Sequence, residues 1–243
     1  MTFTDFWKGT GGVPGDFAYG TTHLVSVIVL TVITLIVSII GFKMGKAVQR
    51  RIIVTAAVFS IIFEVFWRIV YWRRGVALID LYPFYPCNLA GIIVPLIAFS
   101  KNKILKELFY VFAFVGGVIT FVMPVDIFTN AYLNFPILKS ILQHAGIIFI
   151  PVFEYATGNF KPQLKYFWLS IVGIFIHLFN SEYLPPLLGK TGGDFIFLRS
   201  GLPFTIPGVP QIFILGTTAF IVMLVLYMIL DPAGTKRFFR RRR

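Results

Sequence analysis

The chain has 243 residues, of which 57% are hydrophobic and 13% charged, and its formal net charge is +12. These values exclude an ordinary soluble domain and predict a polytopic membrane protein in which residues 1–243 form a single transmembrane domain. Because the basic residues cluster in short loops and at the C-terminus, we interpret the charge as a signal for topology and anionic-lipid contact. We therefore expect membrane lipid, and no nucleic acid, as the partner.

Seven apolar stretches predict an all-α bundle of about seven transmembrane helices. Residues 1–20 are aromatic and Gly-rich, which is typical of an interfacial segment, and residues 231–243 form a basic tail. A long Gly- and Pro-rich loop is expected over Asn180–Pro210, with Phe195–Leu198 either dipping into the membrane or lying on its surface. The predicted helices are Thr22–Phe42, Ile52–Trp72, Pro86–Phe99, Leu105–Met123, Ile137–Ala156, Leu164–Phe179 and Gln211–Leu230.

The distribution of basic residues predicts the orientation of this bundle. Of the 22 lysines and arginines, 15 fall on the side that carries the C-terminal tail, six fall on the opposite side, and Arg68 lies inside a helix. The positive-inside rule therefore predicts an outside N-terminus and a cytoplasmic C-terminus in the cell membrane. The sequence leaves the oligomeric state open.

Cys87, the only cysteine, lies at the start of the third predicted helix. Pro83 and Pro86 predict an extended segment before it, since proline is accommodated in the first turn of a helix but not in its interior. A thiol in that first turn faces unpaired N–H groups and the positive end of the helix dipole, which favour a thiolate. The alternative is that Cys87 is a small buried hydrophobe, as free cysteines often are. One cysteine excludes an internal disulfide and any cysteine-cluster metal site.

Several other polar side chains fall in the outer half of the predicted bundle, whereas the inner half is expected to be nearly free of ionisable groups. Ionisable residues within a membrane are costly and usually face the bundle interior, so each is a candidate for function. The candidates around Cys87 are His23, Glu64, Arg68, Asn88, His144, His177, Asn180 and Tyr183.

Each candidate also has a purely structural interpretation. Glu64 and Arg68 are four residues apart, share a helix face and can simply neutralise each other. His177 can be a packing contact and His23 a headgroup-level residue, whereas His144 lies on an otherwise apolar helix. No HxH or HxxxH spacing is present, so we predict no metal site and no cofactor.

An ordered set of marks covers most of the chain. They are Thr22-His23-Leu24, Glu64 with Trp67, the Pro83-to-Cys87 spacing, Gly116-Gly117, Pro124-Val125-Asp126, His144-Ala145-Gly146 and the Asn180-to-Tyr183 spacing. With these marks the chain resembles the YwaF-like multipass proteins of bacteria and, more remotely, the eukaryotic transmembrane protein 164 acyltransferases. The resemblance runs from about Phe17 to Leu230.

The resemblance implies a chemistry for Cys87. The eukaryotic relatives are lipid acyltransferases with an essential cysteine at the matching position, which implies that Cys87 takes an acyl chain and that His144 assists. This sequence departs from the family pattern at two histidine positions, which are Tyr85 and either Leu138 or Lys139 here. Either His144 and His23 carry the acid–base work or this member is inactive.

We therefore favour a membrane-embedded acyl-transfer enzyme acting on lipid at the outer leaflet. Cys87 is its expected nucleophile, His144 the base and Asn88 an oxyanion donor. His23, Glu64 and Asn180 are expected to orient these groups. The alternatives are a small-molecule transporter that uses the Glu64–Arg68 pair and a non-catalytic scaffold. The absence of a recognisable internal repeat disfavours the transporter.

Overall fold

The computed structural model describes residues 3–9, 15–124, 127–190, 193, 195, 206 and 208–240. Within these residues the fold is an all-α bundle, as predicted, and six helical segments are long and apolar enough to cross a membrane. The α-helices are α1 Phe3–Lys8, α2 Thr21–Phe42, α3 Lys46–Arg73, α4 Pro86–Ala98, α5 Lys103–Val122, α6 Phe135–Ala156, α7 Phe167–Leu178, α8 Leu184–Leu187, α9 Gln211–Leu230 and α10 Pro232–Arg240.

Helix α6 lies at the centre of the bundle, where it contacts each of α1 to α5. The short α4 packs between α3, α5 and α6, and α7 and α9 pack against α5 on another side. The buried core of α4 and its neighbours includes Ile53, Val94, Tyr110, Ile150 and Phe153. With 13 residues, α4 is about 20 Å long, which is less than the ~30 Å hydrocarbon thickness. It is therefore a buried central helix, shorter than a full membrane span, whose two ends lie toward opposite ends of the bundle.

Contacts between helix ends define two ends of the bundle. Lys46 Nζ donates to the Thr157 carbonyl at 2.8 Å, and Arg50 donates to the Phe99 carbonyl at 2.9 Å. The start of α3 therefore lies with the ends of α4 and α6, and we call this the basic end. The opposite end, which carries the start of α4, is the Cys87 end.

Helix α3 begins earlier than the sequence predicted. The expected start was Ile52, whereas the helix begins at Lys46 and runs for 28 residues. At about 1.5 Å per residue it is ~42 Å long, so its first turns reach the interface, where lysine and arginine extend their charged groups toward water. Helix α5 likewise begins at Lys103, with Asn102 capping the Ile104 N–H at 2.9 Å. Some of the basic residues that the sequence assigned to loops thus lie in the first turns of helices.

The prediction that a loop begins at Asn180 was also wrong. Beyond α7 the chain continues as a π-helix, Phe179–Tyr183, and then as α8. Asn180 and Ser181 looked like the end of a helix, but their side chains bond to another part of the chain and are buried there. In the rest of the predicted loop, Phe195 is buried against Phe84 and Tyr85, whereas residues 196–198 lie outside the described residues.

Both terminal segments pack onto the bundle. In the N-terminal segment, Trp7 of α1 contacts Phe135 with ring centroids 4.8 Å apart, and Arg74 donates to the Trp7 carbonyl. The C-terminal tail begins as α10, and Asp231 accepts hydrogen bonds from Gly234 N at 2.9 Å and Leu164 N at 3.0 Å. The tail is therefore attached to the basic end where α7 begins.

Candidate functional site

Cys87 occupies the first turn of α4, as the two prolines predicted. Tyr82 and Tyr85 both have extended backbone conformations, and Pro86 is the first residue of the helix. Proline lacks an N–H, but the first N–H groups of a helix have no partner within it. The Cys87 thiol is free and half-buried.

The segment Tyr82–Tyr85, which we call the lead-in segment, is held by the π-helix. Asn180 Nδ2 donates to the Pro83 carbonyl at 2.7 Å and to the Phe84 carbonyl at 3.2 Å. Ser181 Oγ donates to the same Phe84 carbonyl at 2.6 Å. Extended backbone in a membrane protein needs such partners because no water is there to satisfy its carbonyls. Asn180 therefore acts on Cys87 only indirectly, through the backbone that precedes it.

Glu64 on α3 is the centre of a buried hydrogen-bond network. Its Oε2 accepts from Trp67 Nε1 at 2.9 Å and pairs with Arg68, whereas its Oε1 accepts from Gln143 Nε2 at 2.8 Å. Arg68 Nε also donates to the Leu81 carbonyl at 3.1 Å. Three donors from two helices compensate a carboxylate that is only 4% exposed.

Gly91 of α4 allows this network to pass close to the helix that carries Cys87. A Cβ at Gly91 would lie 2.7 Å from Glu64 Oε1 and 2.8 Å from Gln143 Nε2, closer than real Cβ contacts. Gly91 is four residues after Cys87, so both lie on one face of α4. The Glu64–Gln143 hydrogen bond therefore crosses α4 one turn below the thiol.

Lys139 of α6 brings a cation to the same region. Its Nζ donates to Asn88 Oδ1 at 3.0 Å and lies 4.4 Å from the centroid of the Trp67 ring. The residue after Cys87 is therefore tied to the Lys139 side chain.

His144 is buried on α6, one residue after Gln143. Its Nδ1 is 2.7 Å from the Ser140 carbonyl, and its ring centroid is 5.9 Å from that of Phe121. A carbonyl only accepts, so Nδ1 carries the proton and Nε2 keeps its lone pair. That Nε2 has no hydrogen-bond partner among the described residues. His144 is thus a neutral imidazole with an unused basic nitrogen.

His23 has a structural role at the start of α2. Its Nδ1 accepts from the Tyr19 N–H at 2.9 Å, which requires the proton to be on Nε2. Nε2 then donates to the Phe121 carbonyl at 2.9 Å, near the end of α5. Both ring nitrogens are therefore occupied in joining two helices.

His177 and Tyr183 lie apart from the Glu64 network. The His177 ring packs against Phe109 and Phe112, with centroids 5.9 and 4.8 Å away, and neither ring nitrogen has a partner in the described part of the chain. Tyr183 is exposed on the π-helix and stacks on Phe179. These residues and His23 thus occupy separate surroundings, and no described group of three His, Cys, Asp or Glu residues is arranged to hold a metal.

A second buried polar cluster lies at the basic end, where the sequence predicted almost no ionisable groups. Lys106 and Glu154 form an ion pair between α5 and α6. Glu107 accepts from the Tyr227 hydroxyl at 2.7 Å, and that hydroxyl lies 2.8 Å from Ser170 Oγ. The expectation that this half of the bundle is nearly free of ionisable groups was wrong, because these residues lie near helix ends but face other helices and not water.

Comparison with known proteins now identifies the chain. The family model described as the TMEM164 family matches residues 18–229. The chain belongs to the TMEM164 family. No curated protein and no solved structure matches it.

In this TMEM164-family protein, the structure gathers part of the predicted site and adds to it. The predicted residues that meet around the start of α4 are Cys87, Asn88, Glu64 and Arg68, with Asn180 acting through the lead-in segment. Among the described contacts, none joins the predicted base His144 to Cys87. Sequence reasoning gave no site role to Trp67, Lys139 or Gln143. The spacing of Lys139 and Gln143, four residues apart on an apolar helix, was the available signal.

Proposed function

We propose that this TMEM164-family protein is a lipid acyltransferase of the cell membrane that uses Cys87 as its nucleophile. The observation that carries the proposal is the free thiol in the first turn of α4, next to an asparagine that binds Lys139. A helix N-terminus and a nearby ammonium both favour a thiolate over a thiol. Membership in the TMEM164 family supports a membrane protein of that family, and the apolar surroundings favour a lipid substrate.

In the first half of the reaction, the Cys87 thiol gives its proton to a base, the role proposed for His144 Nε2, and the sulfur attacks the carbonyl carbon of an acyl ester. The C–S bond forms, the ester C–O bond breaks, and the leaving alkoxide takes the proton from His144. In the second half, an acceptor hydroxyl gives its proton to His144 and attacks the thioester. The new C–O bond forms, the C–S bond breaks, and the sulfur recovers the proton.

Asn88 is suited to stabilise the oxyanion of both steps. Because its Oδ1 accepts from Lys139, the orientation of the amide is set and its NH₂ group remains a donor. A donor held in place before the reaction stabilises developing charge without reorganisation. In this proposal, Lys139 orients Asn88 and favours the Cys87 thiolate.

The test is alkylation of purified protein with iodoacetamide, followed by intact-mass measurement at several pH values. We expect one label in the wild type and none in Cys87→Ser. If His144 is the base, His144→Ala slows labelling about tenfold or more without unfolding the protein. His177→Ala is the matched control, since it also removes a buried histidine with unpartnered nitrogens but leaves the α6 face intact.

A fatty-acyl donor extends the test from reactivity to acyl transfer. The wild type should gain the mass of one acyl group, which hydroxylamine removes because it cleaves thioesters. If Cys87 reacts only after denaturation and is indifferent to His144, the mechanism fails. The transporter and scaffold interpretations then become the preferred ones.

A further inference from the structure

Three glutamates are buried in the described part of the bundle, and one of them has no cation beside it. Glu64 is paired with Arg68, and Glu154 is paired with Lys106. Glu107 of α5 is only 2% exposed, and none of the ion pairs among the described residues includes it. An ionised carboxylate that is buried without a partner is very costly, above all within a membrane. The protonation state of Glu107 therefore needs a physical explanation.

Neutral groups from three other parts of the chain surround the Glu107 carboxyl. Its Oε1 accepts from the Gln163 N–H at 3.0 Å, and its Oε2 lies 2.7 Å from the Tyr227 hydroxyl of α9. That hydroxyl is 2.8 Å from Ser170 Oγ of α7, which in turn is 2.7 Å from the Glu107 backbone carbonyl. Glu107 thus begins and ends a chain of three short oxygen–oxygen contacts.

These three contacts need three protons, and the two hydroxyls supply only two. Oxygen atoms approach this closely when a hydrogen atom lies between them. If Glu107 were ionised, one contact of the chain would have no proton. Because a backbone carbonyl only accepts, a proton on Glu107 Oε2 satisfies all three: Oε2 donates to Tyr227, Tyr227 to Ser170, and Ser170 to the carbonyl. The bond between Glu107 and Tyr227 then runs from the acid to the phenol.

The charged groups on the surrounding elements do not compensate a negative charge on Glu107. On α5, Lys106 is used in its own ion pair and Lys103 is exposed, as is Lys165 next to the start of α7. Neither α7 nor α9 contains an Asp, Glu, Lys or Arg. Asp231, which follows α9, accepts two backbone N–H groups and would only repel a second anion. These surroundings favour a neutral carboxyl.

We propose that Glu107 is a proton-binding site of the bundle, whose carboxyl holds one proton at neutral pH and donates it to Tyr227. The proton completes a hydrogen-bond chain that joins α5, α7 and α9. Its loss removes one of the three bonds and leaves an uncompensated charge where the three helices meet. This site is independent of the proposed acyl transfer, because it lies at the other end of the bundle from Cys87.

Infrared spectroscopy of the purified full-length protein at neutral pH tests whether Glu107 is protonated. A protonated carboxyl group has a carbonyl stretch that an ionised carboxylate lacks, and that band shifts in D₂O. Glu107→Gln should remove the intensity of one such group. Glu154→Gln is the matched control, since it also removes a buried glutamate, but one that is paired with Lys106 and ionised. It should leave the band unchanged, and a band that survives Glu107→Gln would overturn the proposal.

A second variant tests the direction of the chain. Tyr227→Phe removes the acceptor of the Glu107 proton, so the carbonyl band should move to higher frequency without losing intensity. A band that Tyr227→Phe leaves in place would contradict the proposed bond from Glu107 to Tyr227.

Thermal melting in detergent gives an independent measurement. Glu107→Gln should melt within about 2 °C of the wild type, because a neutral carboxamide keeps both a donor and an acceptor. Glu154→Gln should melt at least about 4 °C lower, because it leaves Lys106 buried without its partner. A clearly higher melting temperature for Glu107→Gln would show that the wild type carries an uncompensated charge there, and would also overturn the proposal.

Discussion

At the residue scale, the most constrained group is the Glu64 carboxylate. It is buried between α3, α4 and α6, and its charge is balanced by Arg68 and by neutral donors from Trp67 and Gln143. Removing one member of a buried ion pair costs more than removing both, because the remaining charge has no partner. The stabilising effect of Glu64 therefore depends on the presence of Arg68, and that of Arg68 on the presence of Glu64.

This dependence predicts a difference between two variants. Glu64→Gln should destabilise the protein more than the double variant Glu64→Gln with Arg68→Met, as measured by thermal melting in detergent. Breaking a buried pair costs about 3–5 kcal/mol. We expect the low end of that range, because Arg68 is partly exposed and keeps its bond to the Leu81 carbonyl. Equal melting temperatures would show that the two charges are not coupled.

Gly91 offers a test of the close crossing below Cys87. Gly91→Ala places a methyl group within 2.8 Å of both Glu64 Oε1 and Gln143 Nε2 and should separate them. We expect a loss of about 1–3 kcal/mol in unfolding free energy, together with an altered rate of Cys87 alkylation.

Gly116→Ala is the matched control for this change. It makes the same substitution in the interior of α5, where an added Cβ meets nothing within 4 Å. Since alanine is the better helix former, Gly116→Ala should be neutral or stabilising by up to about 1 kcal/mol. If both variants melted alike, α4 would not be held against the Glu64 network.

At the scale of elements, α5 and α7 are joined by backbone contact. Gly173 of α7 lies against the Leu108 carbonyl of α5, and Ser170 Oγ donates to the Glu107 carbonyl at 2.7 Å one turn away. Small residues at helix interfaces allow such close approach in membrane bundles. The position of α7 matters for the site because the π-helix that holds the lead-in segment follows directly from it.

Gly173→Ala should therefore be more harmful than an ordinary helix substitution. Its Cβ would overlap the Leu108 carbonyl oxygen, which belongs to a rigid helix backbone and cannot move aside as a side chain can. We expect a loss at or above the upper end of about 1–3 kcal/mol and less monodisperse protein in size-exclusion chromatography. Gly216→Ala on α9, where a Cβ meets nothing within 4 Å, should behave as wild type.

At the scale of the whole molecule, the first and last described helices lie at opposite ends of the bundle. Helix α1 lies at the Cys87 end through the Arg74–Trp7 contact, and α10 begins at the basic end through Asp231 and Leu164. The excess of lysine and arginine at the basic end predicts which side faces the cytoplasm.

A reporter fused after Arg243 should accordingly report a cytoplasmic location. A short epitope inserted at Gly75, in the exposed turn after α3, should be labelled from outside in intact cells. The two reporters test opposite ends of the bundle. A C-terminus outside, or an epitope reached only after permeabilisation, would contradict the predicted orientation and place Cys87 toward the cytoplasm.

The sequence by itself determined the features that depend on local chemistry. Long apolar stretches predicted the membrane bundle, the bounds of α9 were predicted as about Gln211 to Leu230, and two prolines placed Cys87 in the first turn of a helix. Hydropathy and the fixed geometry of proline act within a few residues, so no knowledge of neighbouring helices was needed.

Only the tertiary structure decided which polar groups meet. The rotation and depth of one helix against another set the contacts of Lys139 with Asn88, of Gln143 with Glu64 and of Lys106 with Glu154. A single sequence shows which residues share a face of each helix, but it does not show which other helix that face contacts. For the same reason Asn180 looked like the end of a helix. Its side chain bonds across the bundle, which allows the helical path to continue to Leu187.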